Sequence, residues 1–191
     1  AFLGPLDDVV GQALVEAERL RFLLRPRLHV PEGGREGRDG IVAAIPEEIL
    51  GEAIKGRRDR VLLATKARMG MGDGPNDAGL SRHHLIAECE ASLRRMQIDH
   101  IDLYQVHEWD GQTPLEETLG AFDALIRSGK VRAIGASNFT APRLAAALDT
   151  SRTLGLARFE TLQPWYNLYD RDLFEGDLER LARSEGLAVL P

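Results

Sequence analysis

The stretch IDLYQVHEWDGQTPLEETLGAFDALIRSGKVRAIGASN, residues 101–138, contains two apolar runs separated by a helix-like segment. Both runs, 101–107 and 130–138, are predicted to be strands, as is RVLLATK (60–66), whose lack of polar alternation indicates burial on both faces. Between them, Thr113, Pro114 and Glu116 form the arrangement that is typical of a helix start with a capping box. A strand, a helix and a strand in this order predict a parallel unit.

The same alternation extends in both directions from this stretch. Upstream, a helical pattern over 46–56 precedes the strand RVLLATK, residues 60–66, and Ser81 opens another helix whose apolar positions recur every three or four residues. Downstream, the pattern continues with the helix APRLAAALDTSRTLG, the strand FETLQ, a further helix and the strand-like LAVLP. Residues 45–191 are therefore predicted to form an α/β fold with a parallel sheet and outer helices.

Residues 1–44 differ from the rest of the chain. VVGQALVEAERLRFLL could form one amphipathic helix, but RPRLHVPEGGREGRDG has no period and predicts a loop or disorder. The segment holds six arginines against seven acids, so it is not a basic arm. We interpret it as an atypical, partly helical or disordered N-terminal segment.

Composition limits the classes of partner. A formal net charge of −6 argues against nucleic acid and anionic membranes, which favour a concentrated basic face. No apolar run approaches the ~18 residues of a membrane span, and the opening AFLGPLDDVVG lacks the features of a signal peptide. The single cysteine, Cys89, excludes an internal disulfide and fits a reducing compartment. We expect a cytoplasmic protein.

Polar residues occur where the predicted strands end. Lys66 ends the first, His107 the second, and Gln163 the fourth, while Ser137 and Asn138 end the third. Taken singly, each has an ordinary structural explanation, such as a solvated strand end or a turn residue. Because the carboxyl ends of parallel strands converge on one face, the joint pattern favours one pocket.

Other polar motifs predict less. GMGDG, residues 70–74, lacks the Lys-Ser/Thr pair of a phosphate loop, and His100 has no histidine or cysteine at ligand spacing, so no metal site is indicated. His83 and His84 fall in the first turn of a helix and are expected to be solvated.

Three segments resemble the aldo-keto reductase family, in order and with the expected gaps. They are EEILGEAIKGRRDRVLLATK (47–66), SLRRMQIDHIDLYQVHEWDGQTPLEETLGAFDALIRSGKVRAIGASNF (92–139) and LQPWYNLYDR (162–171). The resemblance covers about residues 47–191. It implies a (β/α)₈ TIM barrel, here a partial one, that binds NADP(H) and reduces a small carbonyl substrate, an aldehyde or a ketone, by hydride transfer.

The resemblance also implies roles for the residues at the strand ends. Lys66 matches the family's catalytic lysine, whose charge lowers the pKa of a tyrosine proton donor, and His107 matches the histidine that orients the carbonyl. Ser137, Asn138 and Gln163 match the residues that hold the nicotinamide carboxamide.

The chain departs from the family pattern at both ends. No tyrosine precedes Tyr104, and Pro191 falls where the family continues into further barrel units. A full barrel takes ~250 residues. We therefore expect residues 1–191 to be a fragment that associates through open sheet edges, binds NADPH weakly and turns over near background. Residues 1–44 are either genuine divergence or the product of a reading-frame error, which the nucleotide sequence would decide.

Two alternatives stay open at this point. The chain could keep the fold without the chemistry, as a nucleotide-binding or regulatory subunit, and the loss of the tyrosine favours this. It could instead be a barrel aldolase in which Lys66 forms a Schiff base with a carbonyl substrate. The sequence does not specify the carbonyl compound, the choice between NADP and NAD, or the oligomeric state.

Overall fold

Five parallel strands form one sheet in which neighbours in sequence are neighbours in space. The computed structural model describes residues 47–191, so the predictions for residues 1–44 lie outside the described part of the chain. The strands are β1 (Ala64–Ala67), β2 (Ile101–Val106), β3 (Val131–Ser137), β4 (Phe159–Gln163) and β5 (Ala188–Val189), in the order β1-β2-β3-β4-β5.

A helix follows each of the first four strands. The described chain opens in a helical segment, 47–53, and the helices between the strands are α1 (Arg82–Met96), α2 (Leu115–Arg127), α3 (Ala141–Leu154) and α4 (Asp177–Ser184). Parallel strands joined by helical crossovers in sequence order are the repeating unit of a (β/α)₈ barrel. The prediction of an α/β fold consistent with a partial barrel is confirmed.

The apolar core lies between one face of the sheet and the helices. Tyr104 of β2, Phe122 of α2 and Phe159 of β4 are almost fully buried and meet edge to face, with ring centroids 5.5 and 6.2 Å apart. Leu85 and Cys89 of α1 belong to the same core, as their helical spacing predicts. The face of the sheet that carries Tyr104 is therefore used for packing against the helices. On the other face, Ile101 and Leu103 make the amino half of β2 apolar, and polar residues lie toward the carboxyl ends of the strands.

Of the two predicted helix caps, one is confirmed and the other is wrong. Ser81 accepts a hydrogen bond from the His84 amide at 3.3 Å, which confirms its prediction as a cap. The prediction for Thr113 is wrong, since α2 begins at Leu115 and has no side-chain cap. The amide and hydroxyl of Thr113 both donate to Asp110, so this side chain stabilises the preceding loop.

Two further predictions on this part of the chain need correction. His84 is buried, at 1% exposure, because it lies on the face of α1 that packs into the core, whereas His83 is exposed as predicted. The first strand begins at Ala64 and not at residue 60, because Arg58–Arg60 forms a 3₁₀ turn. The Leu63 amide then donates to the Asp102 carboxylate at 2.9 Å, outside the regular ladder.

Asp102, near the amino end of β2, is a buried carboxylate with cationic partners. Arg58 approaches it at 2.7 Å and Arg132 at 3.0 Å, and its own side chain is 5% exposed. This cluster lies at the amino ends of the strands, away from the polar strand ends. Because the Asp102 carboxylate and the Arg58 guanidinium have lost most of their contact with water, their pairing is expected to matter for stability.

None of the helices described for residues 47–191 combines the length and the apolar character that crossing a lipid bilayer requires.

Candidate active site

The predicted site residues lie at the carboxyl edge of the one parallel sheet. Lys66 is the penultimate residue of β1, and His107 directly follows β2. Ser137 ends β3, Asn138 follows it, and Gln163 ends β4. The loops that follow the strands lie at this edge, where they can carry functional groups.

Strand register places these residues on the sheet face opposite the apolar core. Lys66 is paired with Gln105, which is paired with Gly135, and Gly135 is in turn paired with Thr161. Because side chains alternate along a strand, residues two positions further on belong to the same face. That second row contains His107, Ser137 and Gln163, and Ser137 is the register partner of Gln163.

Lys66 and His107 influence each other electrostatically. Lys66 keeps exposed surface, yet neighbouring protein atoms remove part of the hydration of its ammonium group and lower its pKa. Partial burial, followed by the positive charge of Lys66, lowers the pKa of His107 below its ordinary value of 6.5. At neutral pH the imidazole of His107 is therefore neutral, and it can accept or donate a hydrogen bond.

We expect an NMR titration of His107 to have its midpoint below pH 6.5, and Lys66→Met to move that midpoint upward because it removes a repelling charge. The unfolded chain takes up this proton at a higher pH than the folded chain does. Acidification just below pH 6.5 should therefore lower stability through this group. Lys55→Met, on the exposed surface, is the control variant. A His107 midpoint that is the same with and without Lys66 would contradict this electrostatic coupling.

Asn138 connects the ends of three strands. Its φ of 56° lies in the left-handed region, which asparagine adopts more readily than most residues. In this conformation its backbone amide donates to the Gln163 carbonyl at 3.1 Å, and its side-chain Nδ2 donates to the His107 carbonyl at 3.2 Å. The side chain of Asn138 is exposed and that of Ser137 is buried.

Gln163 takes part in a polar network that the sequence did not predict. Gln105 donates from Nε2 to Gln163 Oε1 at 3.0 Å, and the Thr161 hydroxyl donates to Gln105 Oε1 at 3.2 Å. One signal was available, since Gln105 is a polar side chain inside the apolar run IDLYQV. The partners of that side chain, 56 and 58 residues away, could not be deduced without the strand register.

Two charged or aromatic contacts form the rim of this edge. The guanidinium of Arg143 lies 3.2 Å from the ring centroid of Trp109, in a cation–π contact. Arg68, in the loop after β1, forms an ion pair with Glu108 at 2.7 Å. These contacts link the loops after β1 and β2 with the start of α3.

A cleft of about 380 Å³ opens beside Asn138. It lies between the start of α3 and the loop after β4, and Thr140, Trp165 and Asp172 contribute to its walls. Lys66, His107 and Gln163 do not line this cleft. The strand-end residues lie at one edge of the sheet, as predicted, and a cavity shared by their side chains stays a prediction.

This arrangement can stabilise negative charge next to hydrogen-bond donors. Lys66 has no ion-pair partner among residues 47–191, and the same residues contain no group of three metal-ligating side chains. Tyr104 cannot serve as the proton donor beside Lys66, because it is buried in the apolar core, where its hydroxyl donates to the Leu85 carbonyl at 3.3 Å. Burial raises the pKa of Tyr104 well above its ordinary value.

Comparison with known proteins identifies similar chains. The model of the Aldo/keto reductase family matches residues 43–191. "Aldo-keto reductase YhdN" of Bacillus subtilis (strain 168) is 43% identical over 134 residues, which is 69% of this chain and 39% of that protein. "Probable voltage-gated potassium channel subunit beta" of Oryza sativa subsp. japonica is 36% identical over 146 residues, which is 75% of this chain and 44% of that protein.

"Uncharacterized oxidoreductase YrpG" of Bacillus subtilis (strain 168) is 41% identical over 158 residues, which is 78% of this chain and 47% of that protein. The chain thus spans less than half the length of each of these three relatives.

Proposed function

Because this chain belongs to the aldo/keto reductase family, we propose that it carries the nicotinamide and carbonyl part of an NADP(H)-dependent reductase site, which reduces a small aldehyde or ketone. The observation that carries the proposal is the position of Lys66, His107, Asn138 and Gln163 at one edge of one parallel sheet. The placement follows from the strand register and does not depend on the family.

The residues at this edge fit a nicotinamide carboxamide. Such a group has one carbonyl acceptor and two N–H donors, so it needs both kinds of partner. Within residues 47–191, Gln163 Nε2 and the Ser137 hydroxyl make no hydrogen bond, and the amide of Asn138 is exposed beside them. These three side chains would hold the cofactor, and bound NADPH would supply the hydride.

Lys66 and His107 would act on the carbonyl oxygen of the substrate. Negative charge develops on this oxygen as the carbonyl is reduced, and a nearby cation and hydrogen-bond donor stabilise it. The neutral imidazole of His107 can donate one ring N–H to the oxygen and so orient the substrate. The Lys66 ammonium stabilises the charge directly or by lowering the pKa of the proton donor.

The test is an assay of NADPH oxidation with 4-nitrobenzaldehyde, using protein expressed from the complete reading frame. We expect aldehyde-dependent oxidation and formation of the alcohol in equal amounts. NADPH binding without any aldehyde reduction would favour the alternative function, and the absence of both binding and turnover would contradict the proposal.

The alternative is a non-catalytic nucleotide-binding or regulatory subunit with the same fold. Two observations favour it: a relative at 36% identity is named as a probable potassium channel β subunit, and the hydroxyls of Tyr104 and Tyr166 donate to Leu85 and Glu175 and not to a group beside Lys66. This alternative keeps the carboxamide contacts of Asn138 and Gln163. Turnover, and not binding, separates it from the reductase.

We expect Lys66 not to form a Schiff base. Treatment with a ketone and borohydride should leave Lys66 unmodified in mass spectra, because a lysine that stabilises charge remains protonated, whereas a Schiff-base lysine must lose its proton. The lowered pKa of Lys66 favours the neutral amine that a Schiff base requires, so the absence of labelling would be informative. The exposed Lys55 gives the background level of labelling. Selective labelling of Lys66 above that level would favour an aldolase-type reaction.

A further inference from the structure

The most constrained polar group on this face of the sheet is the side-chain amide of Gln105. It is 2% exposed, in the middle of β2, and its register neighbours are Lys66 and Gly135. A buried amide that lacks partners is strongly unfavourable, so its hydrogen bonds decide its orientation. Gln105 has partners for both of its amide atoms, Thr161 and Gln163, and both of them belong to β4.

The hydroxyl of Thr161 makes the first contact of this network. It donates to Gln105 Oε1 at 3.2 Å, which leaves Gln105 Nε2 to face the amide of Gln163. Because Nε2 is only a donor, the neighbouring atom of Gln163 must be an acceptor, and Gln163 presents Oε1 at 3.0 Å. The Nε2 of Gln163 is thereby directed away from the network and remains available to a ligand.

Gly135 provides the space for these contacts. It lies between Gln105 and Thr161 in the register, and a Cβ at this position would come within 2.1 Å of Thr161 Oγ1 and 3.0 Å of Gln105 Oε1. Any side chain at residue 135 would displace the hydroxyl from the amide. The glycine, the amide and the hydroxyl therefore form one unit.

We propose that Gln105 and Thr161 are positioning residues, which act through Gln163 by fixing the orientation of its amide for the nicotinamide carboxamide. This inference rests on the proposed function, since it assigns Gln163 to the cofactor. Without the network, the Gln163 amide could rotate by a half-turn and exchange donor for acceptor at the ligand. A correctly oriented amide avoids the ordering cost at the moment of binding.

The test is a double-mutant cycle in the dissociation constant for NADPH, on protein from the complete reading frame. Gln105→Met and Thr161→Val remove the hydrogen bonds at nearly constant volume, and each should weaken binding about fivefold. Thr161→Ser keeps the hydroxyl and should restore wild-type binding. In a Gln163→Ala background, Gln105→Met should have no further effect, because the group on which it acts is gone.

The outcomes separate this inference from the proposed function. Gln112→Met, on the exposed surface, makes the same chemical change and should leave binding unaltered. The positioning role would be overturned if Gln105→Met and Gln163→Ala raised the dissociation constant for NADPH independently of each other. It would also be overturned if Thr161→Ser bound NADPH as weakly as Thr161→Val. In both cases NADPH binding itself would stand. A wild-type protein that does not bind NADPH would overturn the proposed function and this inference with it.

Discussion

Replacing Lys66 with methionine should lower the rate of NADPH-dependent aldehyde reduction by about 100-fold or more, with little change in folding. The reason is electrostatic. Lys66 is the cation next to His107 on the polar face of the sheet, and among residues 47–191 it has no carboxylate partner that neutralises it. Methionine has a similar length and removes only the charge.

The loss should appear mainly in kcat, because the charge that Lys66 stabilises develops only in the transition state. Lys55→Met is the matched control, since Lys55 is exposed and its ion-pair partner among residues 47–191 is the exposed Glu52. A Lys66→Met protein that keeps its thermal stability and reduces aldehydes within threefold of the wild-type rate would show that Lys66 has no part in the chemistry.

Replacing Asp102 with alanine should lower the free energy of unfolding by about 3–5 kcal/mol. The carboxylate is 5% exposed and accepts from the Leu63 amide, and Arg58, at 19% exposure, lies 2.7 Å from it. Its removal leaves the Arg58 guanidinium without its partner in a place with little water. Arg132 contributes less, because it is 62% exposed and water replaces the carboxylate there.

Urea unfolding measures this effect. Asp149→Ala is the matched control, since Asp149 pairs with Arg152 on the exposed surface and its loss should change stability little. The double variant Asp102→Ala, Arg58→Met should recover part of the lost stability, because the unpaired cation is then absent. An Asp102→Ala variant as stable as Asp149→Ala would contradict the account of this cluster.

The polar strand ends were predictable from the sequence, and their contacts were not. Lys66 and His107 each end an apolar run, and this local pattern is enough to predict that they lie at one edge of the sheet. The network of Gln105, Thr161 and Gln163 depends instead on the register between β2 and β4, which are not paired by backbone hydrogen bonds and are separated by β3. The register between β3 and β4 also shifts between Ile134 and Gly135. No local sequence pattern predicts this shift.

Errors at the level of single residues had the same origin. Thr113 has the sequence context of a helix cap, but Asp110 competes for its hydroxyl and amide. His84 is polar and near a helix start, yet the face on which it lies is set by the packing of α1 against the core. Local sequence patterns were enough to predict the helices and strands. The contacts of individual side chains depend on tertiary packing, which these patterns do not contain.

We propose that the carboxyl edge of this sheet holds the nicotinamide of NADP(H). A crystal structure of the protein with bound NADP⁺ tests it most directly, by the distances from the carboxamide to the side chains of Asn138 and Gln163. We expect both side chains to lie within hydrogen-bond distance of the carboxamide, with the Gln105 bond to Gln163 retained. A nicotinamide that contacts neither side chain, or that lies at the amino ends of the strands near Asp102, would contradict it.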